Sequence, residues 1–249
     1  MPVSEPEKKF DWEAAKKCLA EIQQEAPQIL EQAVVIGGMA CWFYRQLLAT
    51  ANDPDFKVPE LSPEQEALWL SKDIDFTNVF IEEARQILKN FIVFDTQGRP
   101  RIQVAGVPVG FAQVGITLDP EEAWLDSWIG TFKAGTKVIS FRVVEPIALY
   151  REKQALSQKR GSASDAPHLS LLAEFLRYET CCQLKSLKEA KTIEDKAVPL
   201  KFVASIRDRA IEICRPAVFH RRVKRELAGA VLNSAEQTLI KALAQPSAD

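Results

Sequence analysis

Apolar positions recur at two different spacings along the chain, and the switches between them predict its elements. Over residues 10–31, Phe10, Ala14, Ala15, Cys18, Leu19, Ile22, Ile29 and Leu30 recur near every 3.6 residues and predict an amphipathic helix. Pro27 breaks or kinks it. Ala33-Val34-Val35-Ile36 is a short apolar run of buried-strand type, ended by Gly37-Gly38. Residues 39–50 resume a helical pattern, with Trp42, Phe43 and Tyr44 in it; core packing is the leading reading of these rings and base stacking by Trp42 or Tyr44 the alternative. Pro54, Pro59 and Pro63 mark residues 51–63 as a loop, and Ser62-Pro63-Glu64-Gln65 opens a short helix over 64–70.

Ser71-Lys72-Asp73-Ile74-Asp75-Phe76 reads as a strand, followed by a helix over 81–90. Further strands are expected at 91–94, 101–104, 109–117 and 137–144. Helices are expected at 121–132, where Trp124, Leu125 and Trp128 would face inward, and at 147–156. The alternation predicts an α/β or α+β domain of four to six strands with helices mainly on one face. Residues 158–167 are polar and read as a linker; beyond them the pattern is helical over 168–187, 202–214 and 218–243, with Pro199 and Pro216 as breaks. The predicted division is a mixed domain over 1–157 and a helical region over 158–249.

Composition narrows this little. The 249 residues are 47% hydrophobic and 27% charged, ample for a core, and the net charge of −2 means that any nucleic-acid signal must be local. No apolar run approaches the ~18 residues of a membrane span, and residues 1–9 are too polar for a signal peptide. Cys18, Cys41, Cys181, Cys182 and Cys214 lack metal-ligand spacing and read as reduced thiols of a cytoplasmic protein. His168 and His220 are too far apart in sequence to suggest a zinc site or a catalytic triad.

The candidate chemistry lies between residues 33 and 76. Glycines let a phosphate approach the backbone, and a helix start favours anions. Asp73 and Asp75, two apart on a strand, point to one face and together could hold one or two Mg²⁺ ions that bridge phosphates. A phosphate cradle followed by a metal-binding pair is a workable phosphoryl-transfer site.

At Ile36-Gly37-Gly38-Met39-Ala40 and Ser71-Lys72-Asp73-Ile74-Asp75-Phe76 the chain resembles the nucleotidyltransferase superfamily related to DNA polymerase beta. The nearer look-alikes are stand-alone bacterial members of the minimal and AbiEii-like kind. The resemblance extends more loosely to about residue 187. It implies a small mixed sheet with the active site on its open face. It also implies Mg²⁺- or Mn²⁺-dependent transfer of a nucleoside monophosphate from an NTP. Asp73 and Asp75 would be the metal-binding catalytic acids. Gly37, Gly38, Ser71, Lys72 and Lys153 would contact the nucleotide. Stand-alone bacterial members include toxin components and resistance enzymes.

Active look-alikes carry a third carboxylate on a later strand, as in Val-Asp-Phe. The matching stretch here is Val114-Gly115-Ile116, so glycine is expected at that position, with Asp119 or Glu145 as substitutes only if the sheet order brings one near. That loss would favour a non-catalytic nucleotide- or partner-binding module, such as a regulator or antitoxin. Finally, Arg215, Arg221, Arg222, Lys224 and Arg225 place five cations within eleven residues. They read as a solvated face, or as a contact surface for RNA or an acidic protein partner.

Overall fold

The computed structural model describes residues 10–62, 72–112, 115–160, 165–228, 230 and 232–244. The expected helix over 64–70, Ser71 and Val114 lie outside them. The chain divides into two compact units, residues 1–44 with 60–169, and residues 45–59 with 170–249.

The first unit is a mixed α/β assembly on a sheet of seven strands. These are β1 (Val34–Ile36), β2 (Ile74–Thr77), β3 (Ile92–Phe94), β4 (Pro100–Val104), β5 (Val107–Phe111), β6 (Trp128–Ala134) and β7 (Lys137–Val143), in the order β3-β4-β5-β2-β1-β7-β6. β2 lies at the centre, antiparallel to β1 and parallel to β5. Neighbours on both sides leave Ile74 and Phe76 with no exposed surface. Burying each contributes about 1.5–3 kcal/mol, which pins the register, since a one-residue slip would bury Asp75 instead.

Helix α1 (Trp12–Glu25) is capped by the Asp11 side chain, which accepts the Ala14 N–H. The chain then bends at Ala26, where Pro27 opens α2 (Pro27–Gln32) at the position that lacks an N–H without cost. The helix after the Gly-Gly pair, α3 (Gly37–Ala51), is continuous with β1. Trp12 meets Phe132 edge-on, Tyr44 meets Trp128 and Phe43 meets Phe141, so the aromatic residues of α1 and α3 line one side of the β6–β7 hairpin. The Tyr44 hydroxyl donates to the Val144 carbonyl.

Two expectations over residues 107–134 need correction. The helix expected at 121–132 ends early: α5 is Pro120–Leu125, α4 being Ile81–Ile87 before it, and β6 begins at Trp128. Leu125 is largely exposed rather than inward. Gly130 is the cause: a Cβ there would stand 2.5 Å from the Phe141 ring, so a glycine opposite a buried aromatic serves a hairpin, and Gly135 closes it at φ +61°. The strand expected at 109–117 is instead β5, Val107–Phe111.

Helix α6 (Pro146–Arg160) runs through part of the expected linker, and α7 begins at Ala166 (Ala166–Glu189). The second unit contains the later turns of α7, then α8 (Ile193–Arg209), α9 (Ala217–Glu226) and α10 (Ser234–Ala244). Pro199 does not separate helices, as expected, but sits inside α8. A reciprocal cap between Thr192 and Asp195 fixes that helix start, and burial of Phe202, Val203 and Ile206 holds the turns beyond the proline. No described helix is long and apolar enough to cross a membrane.

Candidate functional site

The site is built on the central strand pair. The antiparallel register sets Ile36 opposite Asp75, so the turn from β1 into α3 starts beside that carboxylate. Gly37 has φ +69°, a left-handed backbone that favours glycine. A Cβ on it would stand 3.2 Å from Asp75 Oδ2. Gly38 follows in the first turn of α3. Asp73 is half-buried in the bend before β2, and Lys72 beside it is exposed. Of the predicted residues, Asp75 and Gly37 are therefore brought together, with Asp73 within electrostatic reach of Asp75.

The parallel register sets Gly110 of β5 opposite Asp75. A Cβ at Gly110 would lie 2.5 Å from Asp75 Oδ1. The glycine beside the acid pair is thus Gly110, not Gly115. Gly115 lies past the strand, where a Cβ would meet Leu118 and the Glu152 carboxylate. Glu152 ties that loop to α6 by accepting from the Ile116 and Thr117 N–H groups and the Thr117 hydroxyl. Asp119 caps α5, and Glu145 accepts the Ala148 N–H at the start of α6. Among the described residues, no group of three His, Cys, Asp or Glu side chains is placed to hold a metal ion.

No described donor hydrogen-bonds the Asp75 carboxylate. Burial first, and the Asp73 charge second, push its carboxyl up to about 6, against a smaller opposing pull from Lys153. A half-buried carboxylate beside a second one, with no donor to satisfy it, suits a hard divalent cation with oxygen ligands.

Lys153, expected to contact the nucleotide, lies within electrostatic reach of Asp75. It is buried on α6, and its Nζ donates to Asp165 Oδ1 at 3.0 Å. Asp165 directly precedes α7, and His168 Nδ1 stands 3.9 Å from the same oxygen. Contact with the His168 ring and the Lys153 ammonium hold the Asp165 carboxyl down to about 2 despite burial. Burial pushes His168 down. Cys41, fully buried on α3 within electrostatic reach of Lys153 and Asp165, has its thiol pushed up to about 12 by burial and stays neutral.

Comparison of the chain with protein-family models, curated proteins and solved structures gives no match. The site is therefore read from its own geometry.

Sequence reasoning missed Asp165, His168 and Gly110. The polar run around Asp165 reads as a linker, and only the fold, with a helix starting at Ala166, sets Asp165 against Lys153. Gly110 had a usable signal: a glycine inside an apolar strand marks close approach of something else.

The basic cluster belongs to the second unit. Arg222 donates to Asp53 and Asp55 of the segment after α3, and to Glu226 one turn on. Arg225 donates to Asp55. Phe56 packs edge-on to Tyr178 and lies under the Arg222 guanidinium. Arg222 and Arg225 are thus held in acidic contacts, while Arg221 and Lys224 are exposed.

Proposed function

We propose that this chain is a nucleotidyltransferase-like protein that binds an NTP with Mg²⁺ or Mn²⁺ at Asp73 and Asp75. The reaction would be transfer of the nucleoside monophosphate to an acceptor hydroxyl. The observation that carries this reading is the Ile36–Asp75 register, which joins a left-handed glycine at a helix start to a carboxylate lacking a donor. In that reaction the acceptor hydroxyl would lose its proton to solvent, its oxygen would bond to the α-phosphorus, the bond from that phosphorus to the bridging oxygen would break, and pyrophosphate would leave. The metal, when bound, supplies charge neutralisation of the phosphates. Asp73 and Asp75 hold it, Gly37 and Gly38 leave room for phosphate oxygens, and Lys153 adds positive potential.

A second reading, a nucleotide- or partner-binding module without transfer, is favoured by one observation. The strand position beside Asp75 carries Gly110 and no carboxylate. Loss of a general base commonly costs ~10²–10⁴-fold in rate. As a stand-alone bacterial member of that superfamily, the chain would act as a toxin, antitoxin or regulator. RNA or an acidic protein are its candidate partners through Arg221 and Lys224.

The test is thermal stability with Mg²⁺ or Mn²⁺ and each NTP, followed by transfer from labelled NTP to bulk RNA or cell extract. A metal-dependent rise in Tm is expected, reflecting a stabilisation of about 2.7 kcal/mol at a hundredfold excess over Kd. It should disappear in the Asp73→Asn/Asp75→Asn variant. No rise with any NTP would sink both nucleotide readings, the enzyme and the nucleotide-binding module, while a rise without transfer selects the binding module.

A further inference from the structure

Asp75 stands between two backbone positions that lack a side chain, and this bears on how its carboxylate is aimed. Oδ2 faces Gly37 and Oδ1 faces Gly110, at separations that a Cβ would close to 3.2 and 2.5 Å. The two glycines come from different elements, the start of α3 and the interior of β5, and meet only because β2 runs between β1 and β5. Gly37 has a backbone reason to be glycine. Gly110 has no positive φ, so no turn explains it. Its neighbours Val109 and Phe111 pack in the ordinary way, Phe111 stacking on Phe76. What the missing side chain at 110 provides is the space that Asp75 Oδ1 occupies.

We infer that Gly110 is a positioning residue for Asp75: its bare Cα leaves a slot that fixes the carboxylate's direction, in the role that hydrogen-bonded partners play for other metal ligands. This rests on the reading of Asp75 as a metal ligand. The carboxylate has no described donor to orient it, so the walls of the slot do so instead. A methyl group at 110 turns the carboxylate away. Folding tolerates that turn, because Asp75 is only half-buried and the moving atom ends a side chain. Coordination does not, since a ligand must be held to within about 0.5 Å.

The experiment compares the parent with Gly110→Ala for binding of Mn²⁺, alone and with an equimolar mixture of the four NTPs. Gly110→Ala is expected to keep the parent's circular dichroism and to bind Mn²⁺ some 10–100-fold more weakly, the loss typical of disturbed ligand support. A second pair separates aiming from folding. In the Asp75→Ala background the added methyl meets no carboxylate, so any Tm change from Gly110→Ala seen in the parent should vanish there. Equal Tm losses in both backgrounds mean that the glycine serves the strand, and overturn the inference. So does a parent that binds Mn²⁺ and a Gly110→Ala variant that binds it equally well. A parent that binds no Mn²⁺ removes the proposed function and this inference with it.

Discussion

Asp75 in the first unit and Arg222 in the second are both largely withdrawn from water, yet their surroundings treat charge in opposite ways. Arg222 meets Asp53, Asp55 and Glu226, and every branch of its guanidinium donates to a carboxylate. Asp75 meets two glycines, a second carboxylate and no described donor. A charge matched on all sides holds a loop to a helix. A charge left unmatched raises the energy of the empty protein and is stabilised when a cation arrives. Two of the conspicuous cations, Arg222 and Arg225, are structural, and the quiet Asp-Ile-Asp is the candidate site.

A large effect is expected from Arg222→Ala. It strands Asp53, Asp55 and Glu226 together, and should cost about 2–3 kcal/mol in urea unfolding. Arg222→Lys should recover only part, because an ammonium lacks the planar fork. Mn²⁺ binding should not change; if it falls with stability, the contrast between a structural charge and a site charge fails.

Lys153 and Asp165 lie between these extremes, buried and paired, with His168 against the same carboxylate. Asp165→Asn leaves the ammonium without its counter-charge and should cost about 3 kcal/mol. Replacing both, as Lys153→Met/Asp165→Leu, should be near neutral for stability. If that double variant folds but loses NTP binding, Lys153 belongs with Asp75. The sign of the pH dependence follows from the depressed Asp165 carboxyl. Its contribution is present above the ordinary value of 3.8 and is lost as pH falls toward about 2, so the Asn variant should lack that acid-sensitive step.

Asp75→Asn should move stability the other way. The carboxyl is raised to about 6, so the folded state binds its proton more tightly than the unfolded chain does. Stability from this group is full below pH 3.8 and falls as pH rises through about 6. At pH 7–8 the Asn variant should therefore be more stable than the parent by about 1–3 kcal/mol, an advantage that disappears near pH 3.5. A destabilised Asn variant at pH 7 would mean that Asp75 has a partner and is structural after all.

The smallest effect belongs to Arg221→Ala/Lys224→Ala, where two exposed cations should change stability by less than about 0.5 kcal/mol. RNA binding, if it uses them, should weaken and show a flatter salt dependence. Unchanged binding returns α9 to a solvated face.

The local elements were legible wherever one period dominated. The helix after Gly37-Gly38 and the strand around Asp75 follow directly from their patterns. The stretch 121–132 misled because Trp124, Leu125 and Trp128 fit a helical stripe, and nothing local reveals that Gly130 must clear Phe141 across a hairpin. Gly115 was chosen by parity within a strand drawn too long; the strand ends at Phe111, so its parity does not extend to Gly115, and only the register places Gly110 beside Asp75.

The order of residues by itself determined the pair of acids, the glycine turn, the mixed class and the absence of a long apolar run. Those depend on spacing within a few residues, where backbone geometry alone decides which side chains share a face. Only the tertiary structure decided that Gly110 borders Asp75, that Asp165 holds Lys153, and that Arg222 is bound to Asp53 from 169 positions away. Each of those is a pairing between distant segments. Such pairings are settled by how the sheet and helices bury their apolar faces together, an energy summed over many residues and written in no single motif.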